Sequence, residues 1–239
     1  NHKFQQPYLV VASTKDSEGT PTGWILARDF FRYNAYRLDG MDEFLALHGG
    51  FALQSADVRE LLSVPDLSEI AVSGNWVHFL THSGAVLSMK RLAYEGDYPV
   101  DQHVAAILSH GSEDNCVTYD VGLPSGLADA VGRVSVFGSQ DTASGFLSIA
   151  CRVTGQNLQL SAKVKEGKAK ETLPLDEALP DDTDVVFSTS AYFLQEAATK
   201  GVRMLVKVFT RMKDGVETKI PGVWFRSDKY TQIAKAMSA

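Results

Sequence analysis

Met89-Lys90-Arg91-Leu92-Ala93-Tyr94-Glu95-Gly96-Asp97-Tyr98-Pro99 reads as a strand that stops. Val86, Met89 and Leu92 are apolar among polar neighbours, Glu95-Gly96-Asp97 is turn chemistry, and Pro99 has no N–H to give to a ladder. The chain must therefore leave its sheet here. On either side of this exit the sequence follows one repeating pattern.

Upstream, 69–73, 76–81 and 85–92 read as three strands joined by Ser73-Gly74-Asn75 and His82-Ser83-Gly84, turns short enough for antiparallel hairpins. Before them, Phe51 to Gln54 reads as a strand leading into a helix capped by Ser55, with Ala56, Val58, Leu61 and Leu62 near helical spacing and Pro65 beyond its end. Earlier still, 8–12 and 23–27 read as a hairpin around the turn-rich run 14–19, and 28–37 is aromatic and basic. Downstream the order recurs. A strand at 116–121, a helix at 124–136 and strands at 145–151, 157–163 and 167–175 are followed by a strand at 185–188, a helix at 191–199 and strands at 202–209, 222–226 and 230–234. Strand, helix, then three strands, met more than once, argues for an α+β repeat architecture. The expected domains are 1–108, which begins without the opening strand and helix of the pattern, and 115–239, which carries the whole of it.

The 239 residues are 44% hydrophobic and 22% charged, ordinary values for a globular protein, and no apolar run approaches the roughly 18 residues of a membrane span. Residues 1–6 lack the hydrophobic core and cleavage site of a secretory signal, and the absence of an initiating Met suggests a fragment or a processed form. Cys116 and Cys151 have no C-x-x-C partner, which suits two buried thiols in a reducing compartment; the expectation is a cytoplasmic protein. A net charge of -6 argues against a uniformly basic nucleic-acid binder but allows a basic face on an acidic body. The acids cluster at 39–43, 113–114 and 176–184, while the bases fall elsewhere, notably at 163–170 and 207–219.

No residue set points to catalysis. His78 and His82 are four apart, but in a run read as a strand, with no Asp, Glu or Cys to complete a metal site. Gly122-Leu123-Pro124-Ser125-Gly126 lacks the spacing of a nucleophile elbow or a phosphate loop and reads as a helix start. Asp181-Asp182 reads as solvated loop. No cofactor or metal is expected.

The run Arg91-Leu92 followed by Glu95-Gly96 and Tyr98-Pro99 resembles a domain end in the bacterial β sliding clamp of DNA polymerase III, with one extra residue before the Glu-Gly. Ala27-Arg28-Asp29-Phe30-Phe31-Arg32-Tyr33 is similar to that family's A-T-D-G-[HF]-R-L strand end, with Phe30 for Gly and Tyr33 for Leu. Gly167-Lys168-Ala169-Lys170-Glu171 resembles its G-E-A-E-E run with two lysines in place of acids, and Asp228-Lys229-Tyr230-Thr231 its closing strand, although the Met-Pro-Met ending reads Lys235-Ala236-Met237.

The resemblance implies the DNA-clamp fold, β-α-β-β-β units with helices on one side of antiparallel sheets. It also implies a processivity factor without chemistry of its own, which encircles duplex DNA with no sequence preference as a self-associated ring. On that reading helix-borne Arg59, Arg133 and Lys200 face DNA. Short peptides of a polymerase or clamp loader dock at Arg32, Tyr33, Pro99, Ile233 and Met237. The alternatives are a clamp-fold interaction scaffold that does not load on DNA and a small β-rich hydrolase, which a convergent polar pocket would distinguish.

Overall fold

A computed structural model describes residues 8–15, 19–28, 32–92, 100–108, 115–140, 147–165, 167–213 and 216–234. The chain divides into two compact units, Asn1–Leu108 and Ser109–Ala239.

In the first unit, β1 (Tyr8–Lys15), β2 (Pro21–Arg28) and β3 (Arg32–Leu38) form an antiparallel meander, followed by helix α1 (Asp42–His48). Strand β4 (Phe51–Gln54) returns to pair with β1, giving the order β4-β1-β2-β3. It leads into helix α2 (Ser55–Leu61) and a second sheet of β5 (Leu67–Ser73), β6 (Trp76–Thr81) and β7 (Val86–Lys90), before helix α3 (Val100–Leu108). The two sheets share one core: Val11, Phe51 and Leu53 of the first meet Val77, Phe79 and Met89 of the second, with Leu45 of α1 between them.

Strand β7 ends at Lys90, and the residues around its end form a seam. Met89 is buried in that core, the Arg91 guanidinium donates to the Gly50 carbonyl at 2.6 Å, and Leu92 forms an antiparallel bridge with Ala52. Residues 93–99 lie outside the described residues.

In the second unit the elements are β8 (Cys116–Val121), α4 (Leu127–Ser135), the two-residue β9 (Ser139–Gln140), β10 (Leu147–Thr154), β11 (Asn157–Val164), β12 (Gly167–Pro174), β13 (Asp184–Ser190), α5 (Ala191–Lys200), β14 (Arg203–Lys213), β15 (Val216–Arg226) and β16 (Tyr230–Ala234). Apart from β9, this is strand-helix-three strands, twice. The repeats trade their first strands: β8 pairs with β14 of the later repeat, and β13 pairs with β10 of the earlier one. The resulting sheets run β12-β11-β10-β13 and β16-β15-β14-β8.

Alternation sets the faces of both sheets. In the first, Ile149, Cys151, Val153, Leu158, Leu160 and Phe187 are buried on the side where α4 and α5 pack, while Arg152, Lys163, Lys168, Lys170 and Asp184 point to solvent. The two helices pack on each other, and their buried residues are Leu127, Ala130, Val131 and Val134 on α4 and Ala191, Phe193, Leu194 and Ala197 on α5.

Several local expectations change. Ser55 is the first helical residue of α2, not its cap; Gln54 holds the cap position in an extended conformation without a side-chain bond, and Asp57 supplies negative charge to the first turn. Helix α4 starts at Leu127 because Gly126 takes a left-handed conformation (φ 81°), leaving Pro124 in the preceding turn. Helix α1, which begins within the acidic cluster at 39–43 where the sequence pattern predicts no element, is anchored by Asp42, whose Oδ1 accepts the Gly23 N–H at 2.7 Å, and by buried Leu45. Cys151 is buried, which pushes its thiol up to about 12, but Cys116 is only half-buried.

The β14–β15 hairpin is longer than its sequence pattern: its ladder continues past Phe209 and Gly222 to Lys213 and Val216. Trp224 packs against Phe209 at 6.0 Å, and a Cβ added to Gly222 would lie 2.5 Å from its indole ring. Gly222→Ala should therefore cost about 1–3 kcal/mol by overpacking, read as a lower urea midpoint; Gly222→Ala with Trp224→Leu should recover part of the loss, and an unchanged midpoint in the single variant would refute the close approach.

Candidate nucleic-acid and peptide interfaces

All three cations expected to face DNA sit in the last turn of a helix, where positive charge favours the carbonyl end of the helix dipole. Arg59 on α2 is exposed. Arg133 on α4 reaches down to β12, its Nε donating to Glu171 Oε1 at 2.8 Å; this bond holds the guanidinium's pKa above and the carboxyl's below their usual ranges. Lys200 ends α5, 2.8 Å from Glu196 Oε1 and 4.4 Å from the Tyr230 ring centroid. The Arg133 and Lys200 pairs are open to solvent, where screening leaves such pairs little net worth. The helices as a set are not basic. Among the described residues they carry the carboxylates Asp42, Glu43, Asp57, Glu60, Asp101, Asp129 and Glu196 against Arg59, Arg133 and Lys200 alone.

The remaining cations lie mostly on strands. Arg152 is held by Asp184 through two bonds of 2.7 and 2.6 Å, and Arg203 by Asp120 and Glu177 at 2.6 and 2.7 Å. Lys207, part of what reads as a basic run, is instead buried, its ammonium 4.6 Å from the Trp224 ring centroid.

The residues expected in a peptide cleft divide between the units. Arg32 and Tyr33 open β3; Tyr33 is 41% exposed and stands edge-on to the ring of His103 at 4.8 Å. Ile233 lies on β16 opposite Trp224 and is half-buried. Pro99 and Met237 are outside the described residues. His103 and its neighbour Arg28 were not singled out by any sequence signal, since α3 itself is unannounced by strong helical periodicity.

Two polar features bear on the hydrolase alternative. An open cavity of about 420 Å³ is lined by Asp120, Arg203, Arg226, Ser227 and Asp228, but Asp120 is tied to Arg203 and the Ser227 hydroxyl accepts the Tyr230 N–H, so neither is set against a base. His78 is bracketed by the Ser73 and Ser88 hydroxyls at 2.7 and 2.8 Å, and no cluster of metal-ligating side chains occurs among the described residues. No helix among them is long and apolar enough to cross a membrane.

No protein-family model and no curated protein matches the chain. Solved structures do. The chain is similar to the DNA polymerase sliding clamp of Caulobacter crescentus (17% identity, TM-score 0.64, 98% of this chain and 58% of that one). It is similar too to the sliding clamp of Bartonella birtlesii bound to griselimycin (14%, 0.68, 99% and 59%) and the Helicobacter pylori β clamp bound to a DNA ligase peptide (13%, 0.67, 100% and 59%). The chain thus has the α+β fold of the bacterial DNA polymerase III β sliding clamps and spans somewhat under two thirds of their length.

Burial, and secondarily the Arg28 guanidinium, lower His103 from 6.5 to about 4. Above pH 6.5 the imidazole is neutral whether folded or not. Between pH 6.5 and about 4 only the unfolded chain takes the proton, so stability falls as pH falls through this window, by about 1.4 kcal/mol per unit and about 3 kcal/mol in all. Urea melts across this range should show that slope in the wild type and lose most of it in His103→Asn; equal slopes would remove His103 as its source.

Proposed function

We propose that this chain supplies two domains of a DNA sliding clamp, a processivity factor that does no chemistry and acts by topology. The observation that carries the reading is the pair of interlocked β-α-β-β-β repeats in the second unit, a fold shared with solved clamps over 98% or more of this chain. With further clamp domains or copies it would close a ring around duplex DNA, with Arg59, Arg133 and Lys200 meeting phosphates without reading bases. Edge strands such as β12, paired on one side only among the described residues, offer the backbone groups for such closure.

Partner peptides from a polymerase or loader would engage Arg32, Tyr33, Pro99, Ile233 and Met237. The half-exposed Tyr33 ring, supported by His103, is a suitable apolar anchor, and the H. pylori relative is a precedent for a clamp holding a DNA ligase peptide. A second reading, a clamp-fold scaffold that does not load on DNA, is favoured by the acidic balance of the helices and by the carboxylate partners of Arg133 and Lys200.

Retention on DNA separates the two. After loading, a clamp should stay on nicked circular plasmid and slide off once the plasmid is linearised, whereas equal retention on both would leave only the scaffold. Titration of a fluorescent clamp-binding peptide tests the docking residues. The double variant Tyr33→Ala, Met237→Ala should weaken binding at least about tenfold, the effect of losing one hot-spot side chain, with its thermal melt unchanged; wild-type affinity in the variant would place the peptide elsewhere.

A further inference from the structure

We propose that duplex DNA also binds the solvent face of the β11–β12 hairpin, on the side of the sheet away from α4 and α5, through Lys163, Lys168 and Lys170. The inference rests on the DNA-binding part of the proposed function and moves the principal phosphate contacts from the helices to a strand surface.

Register puts the three ammonium groups together. Lys163 lies directly opposite Lys168, and Lys170, two residues further along β12, projects from the same face opposite Ser161. All three are exposed, as is Lys165 at the turn, and among the described residues none makes an ion pair or a side-chain hydrogen bond. The rest of this face on the two strands is neutral: Asn157, Gln159, Ser161, Thr172 and Pro174. No carboxylate stands on it among the described residues of β11 and β12, because Glu171 points to the opposite face and is held there by Arg133. On the adjoining strands Arg152 and Asp184 cancel each other.

Like charges directly opposite across an antiparallel pair oppose folding. The Lys163–Lys168 pair therefore brings the isolated chain no stability, and a bound polyanion relieves the repulsion. The other cations set directly opposite each other on a described ladder, Arg203 and Arg226, differ in that Arg203 is neutralised by Asp120 and Glu177. On the β14–β15 ribbon, Arg211 faces Thr218 while Lys219 faces Thr210 on the other surface, beside Glu217. Alternation at about 3.3 Å per residue places Lys168 and Lys170 roughly 7 Å apart along the strand, a row suited to successive phosphates of one backbone and indifferent to base sequence.

The test is fluorescence anisotropy of a labelled duplex with the full chain, across about 50 to 200 mM NaCl. Three proteins are compared: wild type, K163Q/K168Q/K170Q and R59Q/R133Q/K200Q. Removing three phosphate contacts should flatten the log affinity against log salt plot by about 3 and weaken binding at least about tenfold at the low-salt end, with little change in the helix variant. Loss in the helix variant alone would overturn the inference and leave the encircling clamp standing. Loss in the strand variant, with equal retention on circular and linear DNA, would uphold it while the encircling reading fails. Absence of duplex binding by the wild type would overturn the inference while leaving the encircling reading to the retention assay, and tighter binding of polyglutamate than of duplex by the same lysines would overturn the inference in favour of an acidic protein partner.

Discussion

The exchange of strands between the two repeats of the second unit is the constraint on which the rest of that unit depends. β8 leaves its own repeat to pair with β14, and β13 leaves the other to pair with β10, so neither repeat completes a sheet without its neighbour. The exchange brings α4 and α5 into contact, each with a buried face of alanines and larger apolar residues. Both helices then cover the apolar face of the β10–β13 sheet, leaving its other face to solvent. The first unit uses the same device once, where β4 pairs with β1 before the chain runs on through α2 to β5.

This sidedness partitions charge as well as apolar surface. A helix end accepts one cation cheaply, and Arg59, Arg133 and Lys200 fill three such ends, so their positions are explained by helix stability before any ligand is considered. The solvent face of β11 and β12 has no such local reason for its lysines. There the cations oppose one another across the ladder, a cost that is most simply understood if the surface meets something negative.

Strand positions and the repeat pattern were legible because alternation and turn residues speak locally: β6 has the bounds its pattern predicts, and β11, α5 and β16 differ by a residue or not at all. Helix α1 was not legible, since Asp42 and Glu43 look like loop acids until Asp42 is seen holding the Gly23 amide, a contact nineteen residues away in sequence. The added length of the β14–β15 hairpin, 210–213 against 216–221, runs through a mostly exposed, polar stretch with no apolar alternation to announce it. Of the candidate site residues, exposure at Arg59 and Tyr33 follows from pattern, but the partners of Arg133 and Lys200 and the His103 support under Tyr33 require the fold.

Identity of 13–17% with solved clamps fits this division of labour. A core needs apolar volume at the right period, and Ile, Val, Leu and Phe exchange within it at modest cost if total volume is kept. The reciprocal pairing is backbone hydrogen bonding, to which side-chain identity contributes little. Surface charge is under neither constraint. Gly167-Lys168-Ala169-Lys170-Glu171 keeps the glycine, the alanine and the inward glutamate that packing against Phe137 and pairing with Arg133 require, while its two outward positions are lysine. The fold therefore follows from the pattern of the buried face. The proposed phosphate contacts all lie at exposed positions, where packing leaves the choice of side chain open.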